Sequence, residues 1–148
     1  MRSSKITMLV ITLSLILGLT SLVGAKPVEL RFLFPVQTAG SLAMAMEAIV
    51  EQFNQANPDI HVNAIFTGNY AATNDRIRTS TLAGNPPHVA LTAMVQALVL
   101  HELDAVVDLA PYIQAEGPDF ANDFIDGFWR GFRLEGRTLG LPFQHSIP

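Results

Sequence analysis

Val28-Glu29-Leu30-Arg31-Phe32-Leu33-Phe34 is the most informative segment of this 148-residue chain. Its first residues alternate between apolar and polar, and its last residues are all apolar. This change is typical of a β-strand that runs from a partly exposed position into the buried part of a sheet. Pro35 follows directly and ends the predicted strand.

The residues after this strand predict a helix and then a second strand. Apolar residues recur at steps of three and four and therefore share one helical face: Leu42, Met46, Ile49, Val50 and Phe53. Asn57-Pro58-Asp59 ends the helix, because a residue that precedes proline avoids the α region. Ile60 to Phe66 alternates with a period of two, which predicts the second strand.

The same alternation continues along the chain. Ala71 to Ala83 has a helical composition, with Ile77 and Leu82 expected to face inward. His88 to Thr92 predicts a third short strand, and Met94 to Leu103 predicts a short apolar helix. Strands that alternate with helices predict an α/β fold with a mostly parallel sheet.

The last part of the chain gives weaker signals. Val106 to Leu109 predicts a brief extended segment, with a stop at Pro111. Asp119 to Phe132 has helical spacing of its aromatic residues. Glu135-Gly136 lies between two short extended segments and predicts a tight β-hairpin.

Residues 1–25 predict a signal peptide. Arg2 and Lys5 form a positive n-region, residues 6–22 are mostly apolar, and Val23-Gly24-Ala25 resembles a cleavage site. Cleavage after Ala25 would leave residues 26–148 as the mature protein, and an acidic, cysteine-free exported chain suits the periplasm. The alternative is a transmembrane anchor, because the stretch approaches spanning length.

The composition excludes several classes of protein. A hydrophobic content of 49% and a mean hydropathy of +0.32 exclude a disordered or fibrous chain. Nine Lys and Arg residues against 13 Asp and Glu residues give a net charge of −4, so no nucleic-acid partner is expected. The lack of cysteine excludes a disulfide scaffold and a thiol nucleophile.

Motifs for catalysis and metal binding are incomplete or missing. His101-Glu102-Leu103-Asp104-Ala105 begins like a zincin helix, but Ala105 stands where the second histidine would be. A surface helix end is the better interpretation. No nucleophile elbow, dinucleotide-binding turn or phosphate-binding loop occurs. We therefore expect no catalytic residue, no metal and no cofactor.

Three loops are candidates for a ligand site, because ligands bind at the carboxyl ends of parallel strands. They are Pro35-Val36-Gln37-Thr38, Gly68-Asn69-Tyr70 and Thr92-Ala93-Met94. Tyr70 is the strongest candidate, since its ring covers an apolar ligand face and its hydroxyl forms a hydrogen bond. Gln37 is the candidate from the first loop. The alternative for Tyr70 is that it caps a helix start or packs in the core.

Four segments occur in a specific order: FNQANPDIHV at 53–62, GNY at 68–70, GNPPHV at 84–89 and GLPFQHSIP at 140–148. In this order they resemble the extracellular solute-binding proteins of bacterial ABC importers, the family of maltose-binding and glycerol-3-phosphate-binding proteins. The resemblance implies a type II periplasmic-binding-protein fold, in which two α/β lobes close on a ligand. Residues 26–148 would be the N-terminal lobe, truncated near the first crossing to the second lobe. Whether this is a truncated product, a fragment or one part of a split binder stays open.

The resemblance also implies ligand contacts. Glycerol-3-phosphate binders share the Gly-Asn-Tyr loop and the Pro-Phe-x-x-Ser segment, whose tyrosine and serine correspond to Tyr70 and Ser146. A family glutamate falls on Met94, whose thioether cannot accept hydroxyl hydrogens as a carboxylate does. This departure affects the expected ligand more than the family.

The function implied is that of a periplasmic substrate-binding component of an ABC importer. Its partners would be a sugar, polyol or polyol phosphate and a membrane permease. A secreted hydrolase is the first rival, and the lack of a paired nucleophile and base speaks against it. A nonfunctional truncated binding protein is the second rival.

Overall fold

The computed structural model describes residues 26–35 and 41–144, and the side chains from residue 44 onward within the second range. Three parallel strands form its main sheet: β1 (Val28–Phe34), β2 (Ile60–Phe66) and β3 (Val89–Ala90). The strand order is β2-β1-β3. β1 pairs with β2 along its full length, and with β3 at Phe32 and Leu33. The predicted α/β fold with a parallel sheet is confirmed.

Six helices and a hairpin accompany this sheet in the described part of the chain. The helices are α1 (Ser41–Ala56), α2 (Tyr70–Leu82), α3 (Met94–Glu102), α4 (Ala110–Glu116), α5 (Pro118–Asn122) and α6 (Asp126–Gly131). β4 (Arg133–Leu134) and β5 (Arg137–Thr138) form the predicted hairpin, with Glu135 and Gly136 at its turn. Among the described helices, none has both the length and the apolar character needed to cross a membrane.

The core consists of one cluster on each side of the sheet. Leu33 and Phe34 are neighbours in β1, so their side chains point to opposite faces. Leu33 packs with Ile77 of α2 and Leu100 of α3, whereas Phe34 packs with Met46 of α1. Burial of each such side chain stabilises the fold by about 1.5–3 kcal/mol.

Two of the motif segments have structural roles at the sheet. Asn54 of α1 exchanges two hydrogen bonds with the backbone of Val62, which satisfies polar groups on the outer strand β2. The Arg31 guanidinium donates to the side chain of Asn85 at 2.7 Å and to the Pro86 carbonyl at 2.6 Å. His88 Nδ1 accepts a hydrogen bond from the backbone N–H of Arg31. The segment at 53–62 therefore ties α1 to the outer strand β2, and the segment at 84–89 ties the residues before β3 to the central strand β1.

Some sequence-based expectations are wrong in detail. Leu82 is 76% exposed instead of facing inward, and on the apolar face of α1 Ile49 and Phe53 remain about half exposed while Met46 is buried. Pro111 lies in the first turn of α4 instead of ending an element. Proline suits this position because a first-turn N–H has no partner within the helix, and because the fixed φ of proline is helical. The helix predicted over 119–132 is split into α5 and α6.

Asp108 connects α4 to the hairpin. Its Oδ1 accepts hydrogen bonds from the backbone N–H groups of Thr138 and Ala110, each at 2.9 Å. These bonds favour the ionised carboxylate and lower the pKa of Asp108, with the Thr138 bond as the largest cause. The segment at 106–109, predicted as extended, is thus a connection fixed by one carboxylate and by the Leu109 N–H, which donates to the Thr138 carbonyl.

Replacing Asp108 with Asn should make the free energy of unfolding less dependent on pH in the acidic range. Because the folded state lowers the pKa of Asp108, its charge stabilises the fold above the unfolded pKa of about 3.9, and this contribution is lost as the pH falls through the folded pKa. The wild type should therefore be more stable than Asp108→Asn at pH 7, and the difference should shrink by pH 3. Urea unfolding at both pH values measures it, with exposed Asp59→Asn as the control. If the wild type and Asp108→Asn differed equally in free energy of unfolding at pH 7 and pH 3, the lowered pKa of Asp108 would be contradicted.

Candidate functional site

The loop that carries Tyr70 is fixed by its own backbone and by two threonines. Gly68 has a φ of +98°, which favours glycine, and Asn69 caps α2 by accepting a hydrogen bond from the Ala72 N–H at 2.9 Å. Thr73 is fully buried, and its hydroxyl donates to the Asn69 carbonyl and contacts the Thr67 hydroxyl. Tyr70 therefore begins α2 in a defined position.

Thr67 joins this loop to the end of β1. Its N–H and its hydroxyl both donate to the Phe34 carbonyl, at 3.0 and 2.9 Å. The next strand ends at the same edge, where the Leu91 N–H donates to the Leu33 carbonyl at 2.8 Å. The Thr92 hydroxyl donates to Asn74 of α2. The carboxyl ends of the three strands are thus held side by side.

A cavity of about 710 Å³ lies at this edge. Tyr70 lines it from the second loop, and Thr92 and Met94 line it from the third. The other side is formed by residues around α6 and by the segment after the hairpin. The lining residues are Tyr70, Leu91, Thr92, Ala93, Met94, Asp123, Phe124, Ile125, Gly127, Phe128, Gly131, Phe132, Leu141, Pro142, Phe143 and Gln144.

A hydrogen bond joins two of the residues that line the cavity. Gln144 Nε2 donates to the Tyr70 hydroxyl oxygen at 3.0 Å, across 74 residues of sequence. This bond leaves the phenolic O–H of Tyr70 able to donate to a ligand, and the Gln144 Oε1 able to accept. The pair therefore offers one donor and one acceptor side by side.

Met94 lines the cavity and packs against α6. A Cβ placed on Gly131 would overlap the Met94 sulfur, so the thioether lies directly on the glycine backbone. Gly140 similarly lies under the Phe132 ring, whose Cδ1 would be 3.0 Å from an added Cβ. Two glycines thus allow large side chains to pack flat against the wall of the cavity.

An aromatic cluster supports the same wall. Phe124 stacks on Trp129, with ring centroids 5.2 Å apart, and contacts Phe120 at 5.5 Å. On the outer side of α6, Arg130 donates to Asp126 and holds the pKa of that carboxyl below its ordinary value. Arg130 is therefore paired with a carboxylate that is not part of the cavity lining.

The structure places the predicted site residues as follows. Tyr70 lines the cavity and is 38% exposed, so it both begins a helix and faces the site, and it is not a core residue. Gln37 and Ser146 lie outside the described residues, as do residues 1–25. Met94, which the resemblance aligns with a family glutamate, also lines the cavity. No group of metal-ligating side chains occurs in 26–35 or 41–144, and His101 lies in the last turn of α3.

Asp123 and Gln144 line the cavity although neither was a candidate from the sequence. Gln144 lies in the segment at 140–148, two positions before the candidate Ser146. This closeness in sequence was the signal that could have indicated it. Asp123 lies in a stretch predicted to be continuous helix, and no pattern marked it. The break between α5 and α6 brings it to the cavity.

A model of the family described as bacterial extracellular solute-binding protein matches residues 39–148. The chain belongs to this family. The match covers β2, β3, α2 and every described residue that lines the cavity. A sequence search of curated proteins finds no match to the chain.

Solved structures of solute-binding proteins share the fold. The sugar-binding protein MalE from Xanthomonas citri has 23% identity and a TM-score of 0.65 over 77% of this chain. UgpB from Mycobacterium tuberculosis, in complex with glycerophosphocholine, has 16% identity and a TM-score of 0.63 over 78% of it. An ABC substrate-binding protein from Listeria monocytogenes, in complex with cycloalternan, has 18% identity and a TM-score of 0.65 over 76% of it.

The chain spans a little over a quarter of each neighbour, since the matches cover 28% of those chains. The expected periplasmic-binding-protein-like α/β fold is confirmed over that part. At these identities the likeness concerns the fold alone.

Gly131→Ala should push the Met94 side chain into the cavity. The added methyl group overlaps the thioether, which is flexible and therefore moves without unfolding the protein. In methyl NMR spectra the Met94 resonance should shift strongly. Gly127→Ala is the matched control, because Gly127 also lines the cavity but has no atom within 4 Å of an added Cβ. A Met94 resonance that is equally unperturbed in both variants would show that the contact is absent.

Proposed function

We propose that this protein is the substrate-binding component of an ABC importer, and that the cavity beside Tyr70 is its ligand site on this part of the fold. One observation carries the proposal: the loops after β2 and β3 meet at one cavity at the carboxyl ends of parallel strands, where open α/β sheets bind ligands. The family match supports it. The ligand proposed is a small solute of the sugar or polyol class, delivered to a membrane permease.

Tyr70 is the proposed centre of the site. Its hydroxyl oxygen already accepts from Gln144, so it is oriented before a ligand arrives. Preorganisation of this kind reduces the entropy lost on binding. Ser146 is proposed as a second neutral contact on the strength of the family resemblance, and Gln37 as a third.

Variants of these residues test the proposal by calorimetric titration with maltotriose, glycerol and glycerol 3-phosphate. Tyr70→Phe and Ser146→Ala each remove one neutral hydrogen bond, worth about 0.5–1.5 kcal/mol, and should weaken binding up to roughly tenfold. Tyr70→Ala also removes ring burial and should cost more. Met94→Glu should strengthen binding of a hydroxyl-rich ligand or leave it unchanged, because it adds an acceptor.

The control for these titrations is Tyr112→Phe, which changes an exposed tyrosine of α4 outside the cavity. Its affinity should equal that of the wild type. Unchanged affinity in Tyr70→Ala would show that Tyr70 is structural. Turnover of sugar esters or phosphates by the wild type would favour the rival function of a secreted hydrolase.

Export through a cleaved signal peptide is the second part of the proposal. It is supported by the basic n-region and apolar stretch of residues 1–25 and by membership of an extracellular family. N-terminal sequencing of the exported protein should give Lys26 as the first residue. Recovery of intact residues 1–25 in the membrane fraction would instead indicate an anchor.

A further inference from the structure

The imidazole of His88 takes a place that a strand carbonyl normally occupies. In a parallel sheet, an N–H that faces a neighbouring strand donates to a backbone carbonyl of that strand. On the side of β1 that faces β3, the Arg31 N–H instead donates to Nδ1 of His88, at 2.9 Å. The His88 N–H donates to the Arg31 carbonyl at 3.1 Å. One side chain therefore forms part of the pairing between β1 and the chain that enters β3.

The pairing of β3 is short, so this bond is a large part of it. β3 has two residues, and it pairs with β1 only at Phe32 and Leu33. Directly after β3, the Leu91 N–H donates to the Leu33 carbonyl at 2.8 Å. The residues from Leu91 to Met94 line the cavity. The bonds at His88 and Leu91 thus hold the two ends of the segment that leads into the cavity.

The bond at His88 requires a neutral imidazole. Nδ1 accepts through its lone pair, and both ring nitrogens of an imidazolium are donors. Protonation would therefore place an N–H against the Arg31 N–H and remove the bond. His88 is exposed, so protons reach it without any opening of the fold. Because histidine side chains ordinarily change charge between about pH 5 and 8, the bond is present in the neutral form and lost in acid.

The other polar contacts of this segment do not change with pH in that range. The Arg31 guanidinium, which donates to the Asn85 side chain and the Pro86 carbonyl, stays charged. The Asn85 N–H donates to the Ser80 carbonyl of α2. The further charged or titratable groups of the elements on this side of the sheet are Glu29 of β1, Asp75, Arg76 and Arg78 of α2, His101 and Glu102 of α3, and Asp104 and Asp108 of the connection after α3.

We propose that His88 is a pH-dependent positioning residue for the third loop of the cavity, Thr92-Ala93-Met94. Its neutral imidazole holds the start of β3 against β1. Once it is protonated, the segment depends on the Leu91 bond and on the bond from Thr92 to Asn74, and the loop is less fixed. For the position of the loop the inference stands by itself. For its effect, weaker capture of a ligand in acid, it rests on the proposed function.

Backbone NMR spectra of the whole protein between about pH 8 and pH 5 test the inference without a ligand. The amide resonances of Arg31, Ala90 and Thr92 should move together along one titration curve, because the loss of one bond affects all three. His101→Asn is the control, since His101 lies on the same side of the sheet and titrates in the same range. This variant should keep the wild-type curve.

Two variants of His88 separate the proton from the side chain. In His88→Asn, the amide oxygen can accept from the Arg31 N–H but does not titrate, so the three resonances should stay nearly constant with pH. His88→Ala has no acceptor, and its Arg31 resonance at pH 8 should already lie near the acid position of the wild type. A titration curve that persists in His88→Asn, or an Arg31 resonance that does not move with pH in the wild type, would overturn the inference.

Calorimetric titration with maltotriose at pH 8 and pH 5 measures the effect on capture. The loss of one neutral hydrogen bond changes an equilibrium constant by roughly 2- to 10-fold, and the wild-type affinity should fall by up to this factor in acid. His88→Asn should bind equally at both pH values. If the resonances titrate as expected but maltotriose does not bind at pH 8, the proposed function is wrong for this solute and the role of His88 stands. If maltotriose binds, and acid weakens the wild type and His88→Asn equally, the role of His88 in capture is wrong and the proposed function stands.

Discussion

The buried hydroxyl of Thr73 is the interaction on which the candidate site depends. A buried hydroxyl without a partner destabilises a protein by about 1–3 kcal/mol, so its bonds must persist in the folded state. Its partners are the Asn69 carbonyl and the Thr67 hydroxyl, and Thr67 in turn donates to the last residue of β1, Phe34. The position of Tyr70 is therefore tied to the centre of the sheet through the two threonines, because the Thr67 N–H also donates to the Phe34 carbonyl.

The central strand β1 is paired unequally with its two neighbouring strands. β1 is paired along its length with β2, but only two of its residues pair with β3. On the outside, apolar side chains of α1 and α3 remain about half exposed, among them Ile49, Phe53, Val95 and Val99. Since exposed apolar patches and strand edges favour association, the described residues bury less of their apolar surface than their sequence pattern predicts.

The sequence predicted the elements whose signals are local. The period-two and period-3.6 patterns located β1, β2 and α1, helical composition located α2, and the topological rule located the loops around Tyr70 and Met94. The features that were not predicted depend on contacts between residues that are distant in the sequence. The Gln144–Tyr70 bond joins residues 74 apart, and the exposure of Leu82 and Ile49 is decided by which neighbours cover them. Helical spacing gives a face its direction but cannot show what lies against it.

Met94 and Gly131 belong to different helices and are in contact in the wall of the cavity. Met94 is 48% exposed, and it lines the same cavity as Asp123 and several aromatic residues. Its thioether fits against α6 because Gly131 has no side chain to occupy the same space. Met94 of α3 and Gly131 of α6 are therefore parts of one cavity surface, and a change at either residue would alter the space available at the other.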